Sequence, residues 1–98
     1  MNGSTEQGGL ITLPERLDIG AAPRLRDALL AAEGDVELDA HAVTIMTTPG
    51  LQVIMAARDH LRDGGRTLRL RNVSPAFEAC IATLGVPLAR LRTSGAER

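Results

Sequence analysis

The stretch Ile45-Met46-Thr47-Thr48-Pro49-Gly50-Leu51-Gln52 marks the point where this chain turns from one periodic pattern into another. Upstream of it, Val36-Glu37-Leu38-Asp39 has the character of a strand, with Val36 and Leu38 on a shared face. Downstream, the apolar residues recur at helical spacing, at Leu51, Ile54, Met55 and Leu61. The stretch therefore predicts a strand, a short irregular bridge over residues 41–46, and a central helix that ends near Arg62.

Thr48 and Pro49 predict where the central helix begins. Thr is a favoured N-cap, and Pro is common at the first helical position, where its missing N–H costs no hydrogen bond. We expect Thr48 at the N-cap, Pro49 at N1, and exposed amides at Gly50 and Leu51 in the first turn. A helix N-terminus carries free N–H donors and the positive end of the helix dipole. This turn is therefore the candidate functional site, with an affinity for anionic groups.

Length and composition restrict the class of protein. A chain of 98 residues is long enough for one domain and too short for two. Because Phe77 is the single aromatic residue, the core must be aliphatic. The net charge of −1 and the lack of aromatic stacking platforms argue against nucleic acid as a partner. With one cysteine, Cys80, and no signal-like or membrane-spanning run, the sequence predicts a cytoplasmic protein without direct membrane insertion.

Along the chain, strands alternate with helices of ten to fifteen residues, which is typical of βαβ units in an open α/β sheet. We expect a disordered leader over residues 1–9, one domain over residues 10–92 and a flexible tail over residues 93–98. The expected strands cover residues 10–13, 17–19, 36–39, 67–71 and 88–91, and the expected helices lie between Pro23 and Gly34, between Thr48 and Arg62, and between Ser74 and Gly85. Thr48 then lies beyond the carboxyl end of a strand, where open α/β sheets carry their sites.

We expect the two histidines and the cysteine to have structural roles or to lie on the surface. His41 and His60 belong to different elements and have no array of Cys or carboxylates at metal-ligand spacing, so we expect surface residues and no metal. Cys80 lies on the apolar stripe of the last helix, which favours an inert core thiol. No nucleophile, base and orienting group can be assembled from the sequence. It therefore predicts no catalytic residue, no cofactor and no enzyme.

Several segments together resemble one family. They are Leu-Pro-Glu-Arg-Leu-Asp at residues 13–18, Val-Glu-Leu-Asp-Ala at 36–40, Gly-Leu-Gln-Val at 50–53, the Gly-Gly turn at 64–65, Ser-Pro-Ala-Phe at 74–77 and Leu-Gly-Val at 84–86. In this order and spacing the chain resembles the STAS domain, the fold of anti-sigma factor antagonists, over about residues 10–92. The pattern and the resemblance together imply a small α/β domain in which a mixed β-sheet of about four strands packs with three to four α-helices.

The resemblance also implies a role for the turn before the central helix. In that family a loop of the type Asp-Ser-Ser/Thr/Ala-Gly-Leu carries a Ser or Thr that a partner kinase phosphorylates, which releases the domain from the partner. Here Thr47 replaces the usual Asp, and Pro49 stands where many antagonists carry the phosphorylated Ser. Thr48 matches the hydroxyl residue of the Asp-Thr-Ala variant found in chemotaxis-linked and lipid-transport STAS proteins. Thr48 is the expected phosphoacceptor and Thr47 the second candidate, whereas the structural alternative makes Thr48 an N-cap alone.

A partner-binding surface follows from the same resemblance. We expect it to comprise the turn at residues 18–20, the loop at 41–49 and the first turns of the central helix, with these residues in contact with the partner: Asp18, Asp39, His41, Thr47, Thr48, Pro49, Gly50 and Leu51. Asp39 should repel a phosphate on Thr48 and direct it outward. The implied partner is an anti-sigma factor, a histidine-kinase-type ATPase that acts as a serine–threonine kinase, with a phosphatase to reverse it. The alternatives are a constitutive STAS subunit of a lipid-transport ABC or chemotaxis-associated complex, and a STAS domain that binds a small ligand or a nucleotide.

Overall fold

Five short strands and three α-helices make up residues 9–91, which are the residues that the structure, a computed structural model, describes. The strands are β1 (Leu10–Thr12), β2 (Arg16–Leu17), β3 (Val36–Asp39), β4 (Ile45–Met46) and β5 (Leu68–Arg71). The helices are α1 (Ala22–Ala31), α2 (Thr48–Asp63) and α3 (Pro75–Thr83), followed by a 3-10 helix at Leu88–Leu91. The predicted α/β class with three helices is confirmed. The predicted leader, except Gly9, and the predicted tail lie outside the described residues.

The strands form two separate ladders. One has the order β1-β3-β5, with β3 in the centre, and the other consists of β2 and β4. Every strand pair in the described part of the chain is parallel. In place of one mixed sheet of about four strands, the chain therefore builds five strands in two parallel ladders. The connection from β3 through α2 to β5 gives the parallel pairing that the alternation of strands and helices predicts.

The core is aliphatic around a single aromatic ring. Phe77 of α3 is fully buried, and so are Leu38 of β3 and Ile54 of α2. From α1, Leu25 and Leu29 reach the same cluster. Burying one such side chain contributes roughly 1.5–3 kcal/mol. The periodic residues of the sequence are thus the ones that join the helices to the ladders.

The helix α2 ends at the Gly-Gly turn, as the sequence predicts. The helix ends at Asp63, one residue beyond the prediction, and Gly64 occupies the C-cap position. Gly65 has a φ of +78°, in the left-handed region that glycine enters without steric cost. Its backbone N–H donates to the Arg62 carbonyl, which satisfies one of the last acceptors of the helix.

The predicted last strand is wrong, because residues 88–91 form a 3-10 helix instead. Leu91 is fully buried, and Leu88 packs against the same core cluster. Residues three apart lie on one side of a 3-10 helix but on opposite faces of a strand. Only the helical conformation therefore brings both leucines to the core. The Arg90 N–H donates to the Pro87 carbonyl at 2.9 Å and closes this turn.

Two further expectations need correction near the candidate site. The predicted bridge at residues 41–46 contains a strand, β4, whose Ile45 and Met46 pair with Arg16 and Leu17. The second predicted strand ends at Leu17, because residues 18–21 form a turn that leaves Ile19 74% exposed. A ladder of two residues per strand has too little periodicity to be visible in the sequence.

Candidate functional site

The start of α2 lies beside the turn that follows β2. The Thr47 N–H donates to the Leu17 carbonyl at 3.1 Å, which continues the pairing of β2 with β4 by one further bond. The carboxyl ends of the two strands therefore meet at one edge. As the sequence predicts, the turn at residues 18–20 and the first turn of α2 come together there.

The predicted helix cap is wrong by one residue. Thr47 is the N-cap, with extended backbone angles (φ −113°, ψ 174°), and Thr48 and Pro49 are the first two helical residues. Pro fits the second position as well as the first, since none of the first four N–H groups has an intrahelical partner. The Thr47 side chain makes no capping hydrogen bond. Within residues 9–91, the Thr48 hydroxyl also has no hydrogen-bond partner, so the N-cap role does not apply to Thr48.

The first turn of α2 does not present the amides that the sequence suggested. Gly50 and Leu51 are both buried, and the Leu51 N–H donates to the Thr47 carbonyl at 3.1 Å. A Cβ atom at Gly50 would lie 2.5 Å from the Leu17 carbonyl oxygen and 2.7 Å from Leu17 Cγ. Gly50 therefore allows α2 to approach β2 more closely than a side chain would permit. Of the residues predicted to contact a partner, Gly50 and Leu51 are therefore buried beneath the surface, where they pack the start of α2 against the rest of the domain.

Asp18 organises the neighbouring turn. Its Oδ1 accepts from the N–H groups of Gly20 at 3.0 Å and Ala21 at 3.3 Å, in the manner of an Asx turn. Its Oδ2 lies 3.6 Å from Nε of Arg16, an exposed pair that adds little stability. These contacts fix the entry into α1 and leave Ile19 on the surface.

Four exposed residues thus stand at the carboxyl end of the β2–β4 ladder: Ile19, Ile45, Thr47 and Thr48. We call them the loop surface. Its two isoleucines are 74% and 39% exposed, and they are two of the four large apolar residues that the described chain leaves exposed. Two exposed isoleucines beside two threonine hydroxyls form a surface that a protein partner could cover.

Asp39 and His41 form a separate cluster at the end of β3. Oδ1 of Asp39 accepts from the His41 backbone N–H at 3.0 Å and lies 2.7 Å from His41 Nδ1, and Oδ2 accepts from the Asn72 side chain at 3.3 Å. The hydrogen bonds from His41, followed by those from Asn72, hold the pKa of Asp39 below its ordinary value of 3.8. No hydrogen bond among the described residues links this cluster to Thr47 or Thr48. The Asp39 carboxylate therefore stabilises the loop after β3, and its repulsion of a phosphate on Thr48 stays a prediction.

The loop between β3 and β4 is held from both sides. The backbone N–H groups of Thr44 and Ile45 both donate to the Glu15 carbonyl, at 2.9 and 3.1 Å. The Ser74 hydroxyl donates to the Val43 carbonyl at 2.9 Å, and Ser74 Oγ also accepts from the Phe77 N–H at 3.0 Å. The pair Ser74-Pro75 repeats the hydroxyl-then-proline pattern of a helix start, so the sequence predicts Ser74 as the cap of α3 but not its bond to the loop. Hydrogen bonds from two other segments therefore fix the loop that positions Ile45 in the loop surface.

A groove that the sequence did not predict lies beside the loop surface. It runs between α1 and α2, has a volume of about 510 Å³, and is lined mainly by apolar side chains, with Pro49 at one end. Its residues on α2 recur at helical spacing, at positions 49, 52, 53, 56, 57, 60 and 61. A second apolar stripe on α2, beside the core stripe, was the pattern that could have revealed it.

The other histidine, cysteine and arginine side chains considered lie on the surface or make structural contacts. His41 and His60 are exposed, as expected, and Cys80 is partly buried against the core. Arg66 donates to the Ala32 carbonyl at 3.3 Å, and Arg71 pairs with Glu37 at 3.3 Å. Within residues 9–91 no group of three or more His, Cys, Asp or Glu side chains could hold a metal ion. None of the helices described is both long and apolar enough to cross a membrane.

Comparison with known proteins agrees with this architecture. No curated protein matches the chain significantly. A crystal structure of a sulfate transporter family protein from Wolinella succinogenes superposes with a TM-score of 0.68 at 18% identity, covering 90% of this chain and 69% of that one. At that identity the likeness concerns the fold alone. The family described as "Mlab, STAS domain" matches residues 2–91, nearly the whole chain. This chain therefore belongs to the STAS domain family, whose members are in general protein-interaction modules without catalytic activity.

Proposed function

We propose that this chain is a regulatory protein-interaction module that docks a partner through the loop surface and is switched by phosphorylation of Thr48. The observation that carries this proposal is the pair of exposed threonines at the start of α2, whose hydroxyls hold no hydrogen bond within residues 9–91. A hydroxyl that caps its own helix is shielded from a kinase, whereas these two are accessible. Exposed Ile19 and Ile45 beside them supply the apolar contact that a docking partner needs.

A phosphate on Thr48 would change this surface strongly without unfolding the domain. It adds roughly −1.5 to −2 charges and three acceptor oxygens. At the first helical position the positive end of the α2 dipole tolerates this charge. A partner packed on Ile19 and Ile45 would have to bury it. Asp18 directly follows Leu17, whose carbonyl accepts from the Thr47 N–H, so its negative charge would add to that of the phosphate on this surface.

The partner that this switch requires is a kinase that also binds the unmodified domain. An anti-sigma factor with a histidine-kinase-type ATPase fold, acting as a serine–threonine kinase in the cytoplasm, meets both conditions. A phosphatase would restore the binding form. The domain itself would be the substrate and would supply no catalytic group, which agrees with the interaction role of STAS domains in general.

A second candidate is a constitutive subunit of a lipid-transport ABC or chemotaxis-associated complex, in which the same surface docks without being modified. Pro49 favours it, because it occupies the place of the phosphorylated Ser in many antagonists and cannot accept phosphate. The resemblance of Thr48 to the hydroxyl residue found in lipid-transport and chemotaxis-linked STAS proteins fits this candidate as well. In this case Thr48 is a contact residue alone.

The test uses three variants of the full chain. The Thr48→Val variant removes the hydroxyl at constant volume, Thr47→Val is its matched control, and Thr48→Glu adds a negative charge. Each is incubated with native-host extract and ATP, recovered by an affinity tag, and examined by mass spectrometry for phosphate and for bound proteins.

The proposal predicts phosphate on the wild-type chain and on Thr47→Val but not on Thr48→Val. It further predicts an ATPase-fold partner that Thr48→Glu fails to retain. Phosphate on Thr47 alone would move the acceptor to the neighbouring residue. An unmodified chain bound to a transport ATPase or a chemotaxis protein would overturn the switch and establish the constitutive subunit.

A further inference from the structure

The groove between α1 and α2 is an apolar surface that the fold leaves uncovered in the described residues. Leu29 and Leu30 line it from α1, and Val53, Ala56 and Ala57 line it from α2. Leu30 is 63% exposed, so it adds to the contiguous apolar surface of the groove. The groove volume of about 510 Å³ is in the range of real binding sites.

The groove exists because α2 has more apolar surface than the core can use. Leu51, Ile54 and Leu61 are at most 4% exposed and form its core face. The neighbouring stripe through Val53, Ala56 and Ala57 faces the groove, where alanine methyl groups are too short to close the space to α1. A soluble helix normally places polar residues on such a face.

The charged residues that line the groove indicate which charge its occupant should carry. Arg26 brings a positive charge to the lining, and none of the lining residues is a carboxylate. Its guanidinium lies 3.6 Å from Asp27, but both side chains are about two-thirds exposed or more, so the pair is weak and leaves Arg26 available. Gln52 and His60 complete the polar part of the lining with hydrogen-bonding groups. An occupant with an acidic margin is therefore complementary.

The segments at residues 1–8 and 92–98 have too few apolar side chains to fill the groove. Residues 1–8 contain Met1 as their only apolar residue, and residues 92–98 contain only Ala96. Neither segment can offer an apolar stripe long enough to cover the groove.

We propose that the groove binds an acidic amphipathic helix of the partner protein. The groove is open along one side between two helices, so a third helix can lie on it and bury apolar residues at positions i, i+3, i+4 and i+7. An acyl chain in the same place would remain largely exposed to water. Pro49 lines the groove and directly follows Thr48, so the groove continues the loop surface. This inference rests on the proposed docking function and identifies the chemistry of the partner.

The test needs no knowledge of the partner. A phage-displayed library of helix-forming peptides as long as α2, 16 residues, is selected on the wild-type full chain. Each enriched peptide is then measured against Ala56→Glu, which places a carboxylate in the groove, and against Ala79→Glu, an exposed alanine on α3 outside it. Arg26→Glu tests the charge. Unfolding curves of all variants verify that each one folds.

We expect acidic amphipathic helices that bind the wild type and Ala79→Glu alike, and that lose about tenfold or more in affinity with Ala56→Glu and with Arg26→Glu. Chemical-shift changes should centre on the methyl groups of Leu30 and Val53. The inference is overturned if no enriched peptide discriminates Ala56→Glu, or if the enriched peptides are basic. It is equally overturned if sedimentation shows wild-type self-association that Ala56→Glu abolishes, or if myristate saturates the groove in its place.

The experiments distinguish a failure of the groove inference from a failure of the proposed phosphorylation switch. Thr48 does not line the groove, so Thr48→Glu should keep its affinity for the selected peptides. If Thr48 is phosphorylated and controls partner retention while no peptide binds the groove, the switch stands and the groove inference fails. If the peptides bind as expected and Thr48 is never modified, the groove stands and the switch fails.

Discussion

At the scale of single residues, Gly50 sets the geometry of the loop surface. It is buried at the third position of α2, with the Leu17 backbone where its side chain would be. The family-like Gly-Leu pair at residues 50–51 is thus explained by close packing of a helix on a strand and not by exposed amides. The hydroxyls of Thr47 and Thr48 project from a helix start that this contact holds in place.

Gly50→Ala should lower the free energy of unfolding by about 1–3 kcal/mol. The new methyl group would meet the Leu17 carbonyl oxygen at 2.5 Å, and this overlap outweighs the roughly 1 kcal/mol by which alanine favours a helix over glycine. Urea unfolding followed by circular dichroism measures the change. Gly64→Ala is the matched control, since its φ is −92° and the nearest atom lies 3.6 Å away. An equal effect at both positions would contradict the close contact at Gly50.

At the scale of elements, two helices begin with a hydroxyl residue followed closely by proline, and they differ in what the hydroxyl does. Ser74 caps α3 by accepting from the Phe77 N–H, and it also donates to the Val43 carbonyl. Thr47 occupies the same position at α2 and makes no side-chain capping bond. The sequence pattern is nearly the same at both starts. One hydroxyl stabilises its helix start, whereas the other makes no capping bond.

Ser74→Ala should therefore cost about 2 kcal/mol of stability, whereas Thr47→Ala should cost no more than a few tenths. The serine change removes a helix cap and also leaves the carbonyl of buried Val43 without its donor. Both values come from paired urea unfolding curves at the same pH. Ser74→Asp separates the two bonds, because a carboxylate can accept from Phe77 but cannot donate to Val43. Similar losses for Ser74→Ala and Thr47→Ala would disprove the difference between the two helix starts.

At the scale of the whole molecule, stability at low pH depends on Asp39, which ties the ends of β3 and β5 to the following loop. Hydrogen bonds from His41, and then from Asn72, lower the pKa of this carboxyl below 3.8, so the ionised form is the one that the fold stabilises. A group whose pKa is lower in the folded state stabilises the protein above its unfolded pKa. That contribution is lost as the pH falls through the folded pKa.

The difference in unfolding free energy between the wild type and Asp39→Asn should accordingly be constant above about pH 5 and shrink as the pH falls below 3.8. Chemical denaturation at a series of pH values measures it. In parallel, carboxyl carbon NMR of His41→Ala should show the Asp39 midpoint rising toward 3.8, because the largest cause of the shift is removed. A stability difference that stays unchanged down to the lowest pH would show that the Asp39 carboxylate is not stabilised by the fold.

The sequence by itself determined the α/β class, the strand Val36–Asp39, the Ser74 cap and the aliphatic core around Phe77. These features depend on local periodicity and on side-chain chemistry within a few residues, which a sequence displays directly. The resemblance to STAS domains also rested on such short segments, and the family match over residues 2–91 agrees with it.

Only the tertiary structure decided the details of the candidate site. The two-residue strands β2 and β4 exist because they pair with each other across almost thirty residues, and that pairing places the N-cap of α2 at Thr47 instead of Thr48. The groove exists because α1 lies against a second face of α2. Contacts between residues distant in the chain leave no periodic trace in either segment alone, because each segment supplies only half of the surface.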